Sequence, residues 1–248
     1  MMIHHSAIEE ALRLNNFALD KEIIGKFSLL IDLVLKWNTT INITAHRDPA
    51  DIIYKDIVDN LYLSKFIASC VGAISTKQLV DRREPPLRIY EFPLNIIDMG
   101  AGAGFSGLVL AIVNPSIKMA FLESDRKKIN FIKEVYRKID LHQMQCRGVL
   151  QYAPTFIHAR AESYPKECKE VFNCSLTRAT WPLEEYLRYT HYYVQNSGHA
   201  FYMSGQNSKN HHRESTISQG FADDKEFFYK IEPKGYKRSI LTFKKIGF

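Results

Sequence analysis

Residues 96–107 read IIDMGAGAGFSG, and this stretch decides the fold class. An apolar run ends in Asp98 and is followed by glycines at alternate positions, Gly100, Gly102 and Gly104. A buried strand that feeds a nucleotide-binding turn and then a helix has this pattern, because glycine lets the backbone turn tightly and approach a ligand closely. The stretch therefore predicts an α/β fold with a ligand site at the end of the strand.

The chain that follows alternates strands with helices. Apolar runs of strand length begin at residues 94, 117, 155, 171, 199, 226 and 240, and helical segments follow the first, second and fourth runs. This alternation is typical of a mainly parallel sheet covered on both faces, which binds ligands outside the carboxyl ends of its strands. We therefore expect the ligand of the glycine turn to lie at that edge of the sheet.

The first 72 residues are helical in pattern. Apolar residues recur at steps of three or four from Ile23 to Trp37, which predicts an amphipathic helix of about four turns. Asp48 and Pro49 have the residue types of an N-cap and a first helical position, so a further helix is expected to begin there. Three prolines and mixed charge mark the next segment as a linker. The predicted organisation is a helical region at 1–72, a linker or insertion at 73–93 and a sheet domain at 94–248.

Composition and charge narrow the class of protein. The 248 residues carry a net charge of +6, with −2 in residues 1–72 and +8 in residues 73–248. The last 24 residues hold seven basic and two acidic side chains among aromatic ones, which suits a polyanion, although a solvated pair of terminal strands is the alternative. No apolar run reaches the roughly 18 residues of a membrane span, so we predict a cytoplasmic protein without a membrane partner. Cysteines and histidines lack metal-ligand spacing, and no metal is predicted.

Two classes of ligand compete for the glycine turn. Residues 102–107, GAGFSG, match the dinucleotide fingerprint, with Glu123 about 20 residues further on. However, a carboxylate at Asp98 would repel a pyrophosphate, whereas S-adenosylmethionine carries a cationic sulfonium and ammonium and a ribose with two hydroxyls. Asp98, the glycines, and Glu123 with Ser124 in FLES form the complementary set for this methyl donor. A dinucleotide-dependent oxidoreductase and a plain tight turn are the alternatives.

Several blocks of the chain resemble one known family. They are KWNTTINITAHRDPADIIYKDIVDN, DMGAGAGFSG, LESDRKKINFI, ARAE and TRA, and they occur in that family's order over nearly the whole chain. The chain is similar to the glucose-inhibited division protein B family, the bacterial 16S rRNA guanine-N7 methyltransferases (small-subunit methyltransferase G). The resemblance implies a Rossmann-like class I methyltransferase domain behind an N-terminal helical region. It also implies methyl transfer from S-adenosylmethionine to N7 of one guanine in 16S rRNA of the small ribosomal subunit.

The same resemblance assigns site residues. It places Gly100 and Phe105 on the donor site, Ala161 and Glu162 near the adenine, and Arg178 at the methionine end or the RNA. The predicted donor site is Asp98, Gly100, Gly102, Gly104, Phe105, Glu123, Ser124, Ala161, Glu162 and Arg178, and the predicted RNA contacts are Arg47, Arg178 and Arg238. For Arg47 the alternative is a surface role at a helix end, and for Arg238 it is a contribution to the basic field alone.

The implied methyl transfer needs few catalytic groups from the protein. Guanine N7 has an in-plane lone pair at neutral pH, so no general base is expected and catalysis rests on proximity and orientation. We expect Arg178 to position the acceptor through guanine O6, and a lysine or alanine there to lose turnover while folding normally. The expected partner is 16S rRNA or the small ribosomal subunit, and the chain is expected to act as a monomer.

Four positions depart from the residues usual in the family. Ser106 stands in place of a proline, Asp56 of a histidine, Asn173 of an aspartate and Ser204 of a lysine. If that lysine contacts RNA phosphate, its loss weakens substrate binding. Extra residues at about 73–93 and 142–157 would reshape the surface that faces RNA. Two alternatives follow: a non-catalytic RNA-binding relative that keeps the methyltransferase fold, and a methyltransferase retargeted to another acceptor.

Overall fold

The computed structural model describes residues 4–71, 94–139, 153–178, 180–205, 217 and 219–247. Its strands are β1 (Leu94–Met99), β2 (Ile117–Glu123), β3 (Thr155–His158), β4 (Phe172–Arg178), β5 (Val194–Gly205), β6 (Phe221–Ile231) and β7 (Tyr236–Lys245). They form one sheet in the order β3-β2-β1-β4-β5-β7-β6, in which β7 pairs antiparallel with both β5 and β6 and the other pairs are parallel. The predicted mainly parallel α/β sheet is confirmed.

Helices precede the sheet and alternate with its first strands. They are α1 (His5–Leu14), α2 (Lys21–Asn38), α3 (Pro49–Asp51), α4 (Asp59–Val71), α5 (Phe105–Val113), α6 (Arg126–Lys138) and α7 (Leu183–Tyr193), with a π-helix, Ile52–Val58, between α3 and α4. Short 3-10 turns occupy Ala161–Ser163 and Lys166–Cys168. The helices predicted after the first, second and fourth apolar runs are α5, α6 and α7.

The helix that begins at Asp48 has the predicted start and an unpredicted middle. The Asp48 carboxylate accepts a hydrogen bond from the backbone N of Ala50 (2.8 Å), and Pro49 occupies the first helical position. One turn later the backbone widens into the π-helix. Apolar spacing does not report such a change of hydrogen-bond pattern, and π-helical turns occur frequently at functional sites.

Two strands are longer than their apolar runs predict. β5 begins at Val194 rather than at residue 199, and β6 begins at Phe221 rather than at residue 226. The added residues are mostly exposed, including Gln195 to Ser197 in β5. In β6, pairing with β7 continues through Asp223 and Lys225 although both side chains are exposed. In β5, the register with β4 shifts between Val194 and His199, so residues 195–198 form an irregular stretch. Apolar content does not mark either end. The predicted linker at 73–93 and residues 142–152 of the second insertion lie outside the described residues.

The core joins the helical region to one face of the sheet. The predicted stripe on α2 is buried, with Phe27, Leu30 and Val34 fully inaccessible, while Trp37 packs edge-on against Phe131 of α6 at 5.6 Å. Each fully buried side chain of this size contributes about 1.5–3 kcal/mol. A second apolar cluster between the other face of the sheet and α7 includes Tyr186 and Tyr193. In the segments described, no helix is both long and apolar enough to cross a membrane.

Candidate active site

The glycine turn between β1 and α5 depends on backbone geometry. Gly100, Gly102 and Gly104 have φ angles of +63°, +59° and +74°, in the left-handed region that glycine adopts without strain. A Cβ atom on Gly100 would lie 2.6 Å from the Thr180 side chain. Gly100 is therefore required both for the conformation of the turn and for the space beside it.

Two carboxylates brace this turn. Asp98 is 3% exposed and accepts a hydrogen bond from the backbone N of Gly107 in α5 (3.0 Å). Burial raises the pKa of Asp98 to about 7. Glu123, at the end of β2, accepts from the backbone N of Gly102 (2.7 Å) and of Asp125 (2.8 Å). Asp98 thus joins β1 to the first turn of α5, and Glu123 joins β2 to the glycine turn itself.

A cavity of about 190 Å³, here named the turn cavity, opens beside the glycine turn. Its wall is formed by Gly100, Leu122, Glu123, Ser124, Ala159, Arg160, Ala161, Glu162, Thr180 and Trp181. Five predicted donor residues therefore meet there: Gly100, Glu123, Ser124, Ala161 and Glu162. The other five lie elsewhere: Gly102 and Gly104 in the turn, Asp98 and Phe105 buried behind it, and Arg178 on a second cavity.

Three polar or aromatic residues of the turn cavity were not predicted. Thr180 donates from Oγ1 to the carbonyl of Gly100 (3.4 Å), and Trp181 packs edge-on against Tyr189 at 5.6 Å. Arg160 lines the same cavity and pairs with Glu162 (3.5 Å). A signal for the first two was present in the sequence, because they follow the predicted strand 171–177 and ligands bind at the carboxyl ends of such strands.

A larger cavity of about 390 Å³, here named the basic cavity, adjoins the same end of β4. It is lined by His46, Lys55, Asp59, Arg178, Met203, Ser204, Gly205 and Arg238. Arg178 is the last residue of β4, and Thr180 on the turn cavity follows two residues later. The two cavities are therefore neighbours, and three of the side chains on the second carry a positive charge against one carboxylate.

Asp56 in the π-helix anchors the side of the basic cavity. It is fully buried, with Oδ1 2.7 Å from Arg178 Nη1 and Oδ2 2.7 Å from His46 Nδ1. Arg178 Nη1 also donates to the carbonyl of Lys55 (3.1 Å). Burial alone would lower the pKa of Arg178, but the carboxylates of Asp56 and Asp59 outweigh burial and raise it. Arg178 is thus a fixed cation whose orientation is set by the helical region.

Asp59, the first residue of α4, lies on the wall of the basic cavity. Its side chain is 4% exposed, and Oδ1 accepts a hydrogen bond from the Tyr229 hydroxyl (2.6 Å). Its Oδ2 is 3.7 Å from Arg238 Nε, which is an ion pair beyond hydrogen-bond distance. Burial raises the pKa of Asp59. Sequence reasoning did not single out Asp59, and only the tertiary structure places it beside Arg178.

The three predicted RNA contacts occupy different places. Arg178 and Arg238 both line the basic cavity. Arg47 is exposed in the loop between α2 and α3, where it donates to the carbonyl of Asn38 (3.2 Å) and to Oδ1 of Asn42 (3.1 Å). The structure therefore brings two of the three arginines together and leaves Arg47 in local contacts.

The departures from the family pattern differ in their consequences. Asn173 Oδ1 accepts from the backbone N of Asn95 (2.8 Å), a bond that an aspartate would also accept, and Ser106 is buried in the first turn of α5. Asp56 gains partners in His46 and Arg178. Ser204 lies on the basic cavity, with its Oγ 3.2 Å from that of Ser239. Of these four positions, Ser204 is the one on a cavity wall.

No cluster of three or more histidine, cysteine, aspartate or glutamate side chains suited to a metal ion occurs in the part of the chain that the structure describes. Cys70, Cys168 and Cys174 are free thiols. The site is therefore described by its carboxylates, arginines and glycine turn.

Fold and site together define a Rossmann-like methyltransferase. A solved methyltransferase of this fold, the 1,6-didemethyltoxoflavin-N1-methyltransferase of Burkholderia thailandensis, superposes with a TM-score of 0.54 at 10% identity over 87% of this chain and 89% of that one. The family model described as rRNA small subunit methyltransferase G (GidB) matches residues 69–240. The chain belongs to this family, and the predicted family is confirmed.

Individual relatives agree with the family model. The chain is 31% identical to the ribosomal RNA small subunit methyltransferase G of Thermoanaerobacter pseudethanolicus, over 74% of its own length and 64% of the relative's. The corresponding protein of Aeromonas salmonicida is 32% identical over 71% and 68%, and that of Clostridium kluyveri is 27% identical over 92% and 84%. The chain thus spans less than two thirds of the length of this first relative.

Proposed function

We propose that this chain transfers the methyl group of S-adenosylmethionine to N7 of a guanine in 16S rRNA of the small ribosomal subunit. The observation that carries the proposal is the pair of neighbouring cavities at the end of β4. The turn cavity presents two carboxylates, Glu123 and Glu162, against one arginine, and the basic cavity presents three cations against one carboxylate. A cationic donor and a polyanionic acceptor need walls of opposite charge.

The turn cavity suits S-adenosylmethionine by the chemistry of its wall. Glu123 and Ser124 offer hydrogen-bond acceptors to the ribose hydroxyls, and Ala161 and Glu162 line the part of the cavity proposed for the adenine. Gly100 keeps free the space that a Cβ would fill beside Thr180. When bound, this donor supplies an electrophilic methyl group on a sulfonium. The protein's part is to hold the donor and to exclude other orientations.

The basic cavity suits the acceptor. Guanine N7 attacks with its own lone pair, so no side chain has to remove a proton and no general base is needed. Arg178 is held by Asp56 and by the Lys55 carbonyl, which is the rigid placement that a positioning residue requires, since such catalysis depends on holding the reacting atoms in line. An exposed or flipped nucleotide of the RNA enters this cavity.

The partner is RNA, attracted by the excess of basic residues after residue 72. We propose 16S rRNA or the small ribosomal subunit as that partner, the cytoplasm as the compartment and the monomer as the active form.

Methyl transfer from labelled S-adenosylmethionine tests the proposal. The acceptor is small-subunit rRNA that lacks its guanine-N7 mark, offered both as naked RNA and as assembled particles, and the product nucleoside is identified by mass spectrometry. We expect N7-methylguanosine at one position. Absence of transfer by a preparation that binds the donor would contradict the proposal.

A second function is favoured by one observation. Ser204 leaves the basic cavity without the cation that the family usually has there. A non-catalytic or retargeted RNA-binding relative would bind donor and RNA and leave the guanine unmodified, or would place the methyl group elsewhere. The same mass spectrum separates these outcomes.

A further inference from the structure

The basic cavity contains one feature that a phosphate site would not have. Asp59 lies on its wall, and its carboxylate is 4% exposed. A buried carboxylate repels a phosphate strongly, because the low dielectric around it does not screen the two charges. The part of the cavity beside Asp59 therefore suits a neutral group that donates hydrogen bonds. Lys55, which pairs with Asp51 (2.8 Å), and Arg238 are the other cations on this wall, and the RNA backbone would have to compete with their carboxylate partners.

Arg178 and Asp59 form an ordered donor and acceptor pair. Arg178 presents N–H groups from the end of β4, and Asp59 presents carboxylate oxygens from the start of α4. Guanine has the complementary order along one edge: O6 accepts, and the adjacent N1–H and 2-amino groups donate. Adenine reverses the first two positions, with a 6-amino group that donates and an N1 that accepts.

We propose that Asp59 is the residue that selects guanine, by accepting hydrogen bonds from N1–H and the 2-amino group while Arg178 donates to O6. The inference rests on the proposed function and adds a specificity residue to it. Adenine in the same place would oppose donor with donor and acceptor with acceptor, and buried groups left unpaired in this way give strong discrimination. N7 lies on the neighbouring Hoogsteen edge of the base, so this pose leaves its lone pair clear of Asp59.

Contacts between the helical region and the sheet hold both residues in place. Asp56 in the π-helix fixes Arg178 at 2.7 Å, and three residues later Asp59 is fixed by the Tyr229 hydroxyl at 2.6 Å. The π-helical segment ends at Val58, immediately before Asp59. The helical region therefore supplies the anchor for the donor and the acceptor itself, and the sheet supplies Arg178 and Tyr229.

Removing the 2-amino group of the target guanine tests the inference. The guanine that the wild-type protein methylates is identified first, and RNA is then assembled with inosine, which lacks only the 2-amino group, at that position. We expect kcat/KM of the wild type to fall about tenfold or more on inosine, as for loss of a hydrogen bond to a charged group. Asp59→Asn and Asp59→Ala should be slow on guanine, and their further loss on inosine should shrink to less than about threefold.

A matched variant separates recognition from folding. Tyr229→Phe removes the hydroxyl that contacts Asp59 but keeps the carboxylate, so the wild-type loss on inosine should persist in it. Donor affinity and thermal midpoint are measured for every variant. Equal rates of the wild type on guanine and inosine, or an undiminished inosine loss in both Asp59 variants, would overturn the inference while the proposed function stands. If Asp59→Asn binds RNA more tightly and its loss of kcat/KM on inosine is undiminished, the cavity is instead a phosphate site. If the wild type transfers no methyl group, the proposed function and this inference are both overturned.

Discussion

The turn cavity and the basic cavity share the end of β4 but are built in different ways. The turn cavity is shaped by backbone: three left-handed glycines, the N–H groups that Glu123 accepts, and residues that follow the ends of β1 to β4. The basic cavity is shaped by side chains from the loop before α3, the π-helix, α4, β4, β5 and β7, joined by ion pairs at Asp56 and Asp59. The first site tolerates little change of backbone, and the second tolerates little change of charge.

The largest expected effect is at Arg178. A change there should impair the function of the basic cavity, which is methyl transfer to the acceptor, and leave donor binding in the turn cavity intact. Arg178→Lys keeps a positive charge beside Asp56 but loses the planar fork that orients an acceptor. We expect methyl transfer to fall about 100-fold, or roughly 2.7 kcal/mol of transition-state stabilisation, with donor affinity unchanged. Transfer rates and calorimetric donor binding measure the two quantities. Transfer at the wild-type rate would remove Arg178 from the mechanism.

The structure changes the expectation for alanine at the same position. Arg178→Ala leaves the fully buried Asp56 without its arginine, and breaking a buried ion pair costs up to about 3–5 kcal/mol. Alanine is therefore expected to destabilise the fold as well as to lose turnover. The double variant Asp56→Asn with Arg178→Ala removes both charges and should recover most of the stability, but not the activity, in denaturant unfolding and transfer assays.

The next effect is at Gly100. A change there should impair donor binding in the turn cavity and leave the basic cavity intact. Gly100→Ala forces an L residue to φ +63° and brings its Cβ to 2.6 Å from Thr180, so the turn must shift. We expect donor affinity to fall about tenfold or more and stability to fall by roughly 1–3 kcal/mol. Gly25→Ala is the matched control, because nothing lies within 4 Å of its Cβ inside α2 and it should gain about 0.5–1 kcal/mol. Equal donor binding by both variants would contradict this account of the turn.

These differences also determine how much of the fold and of the two cavities can be predicted from the sequence. The glycine spacing at 100–104, the acids at 98 and 123 and the alternation of strands and helices are local, so each predicted its part of the sheet and of the turn cavity. Asp59 meets Arg178 only through the fold, and the π-helix that contains Asp56 and ends just before Asp59 has no apolar signature. Tertiary charge pairing therefore lies outside what periodicity and motifs report, as do the exposed ends of β5 and β6.

The next effect is on stability rather than on activity, and it concerns the pH dependence of stability at Asp98. Its carboxyl holds a proton up to about pH 7 in the fold, whereas the unfolded chain releases it near pH 3.9. The folded state therefore binds more protons in this window, and stability falls as the pH rises through it. Asp98→Asn should flatten this slope and should be the more stable protein at pH 8, with about 1.4 kcal/mol for each pKa unit removed.

Thermal unfolding between pH 4 and pH 8 without donor checks the prediction. Asp125→Asn is the control, because Asp125 is an exposed N-cap of α6 and asparagine caps equally well. It should leave both the slope and the stability close to those of the wild type. An unchanged slope in Asp98→Asn would show that burial does not perturb this carboxyl, and the turn cavity would then carry a full negative charge beneath the donor at neutral pH.

The smallest effect follows from adding a charge to the basic cavity at Ser204, where the resemblance implies that the family has a lysine. Ser204→Lys places an ammonium on the wall of the basic cavity. One more phosphate contact steepens the salt dependence of RNA affinity by about 0.7 to 0.9 in log K against log salt, so we expect RNA binding to tighten a few-fold at low salt and donor affinity to stay unchanged. Filter binding to small-subunit rRNA over a salt series measures both slopes. Ser204→Ala removes the hydroxyl without adding charge and should keep the wild-type slope; if the lysine variant also keeps it, the RNA backbone does not pass this wall, and the basic cavity receives only the base.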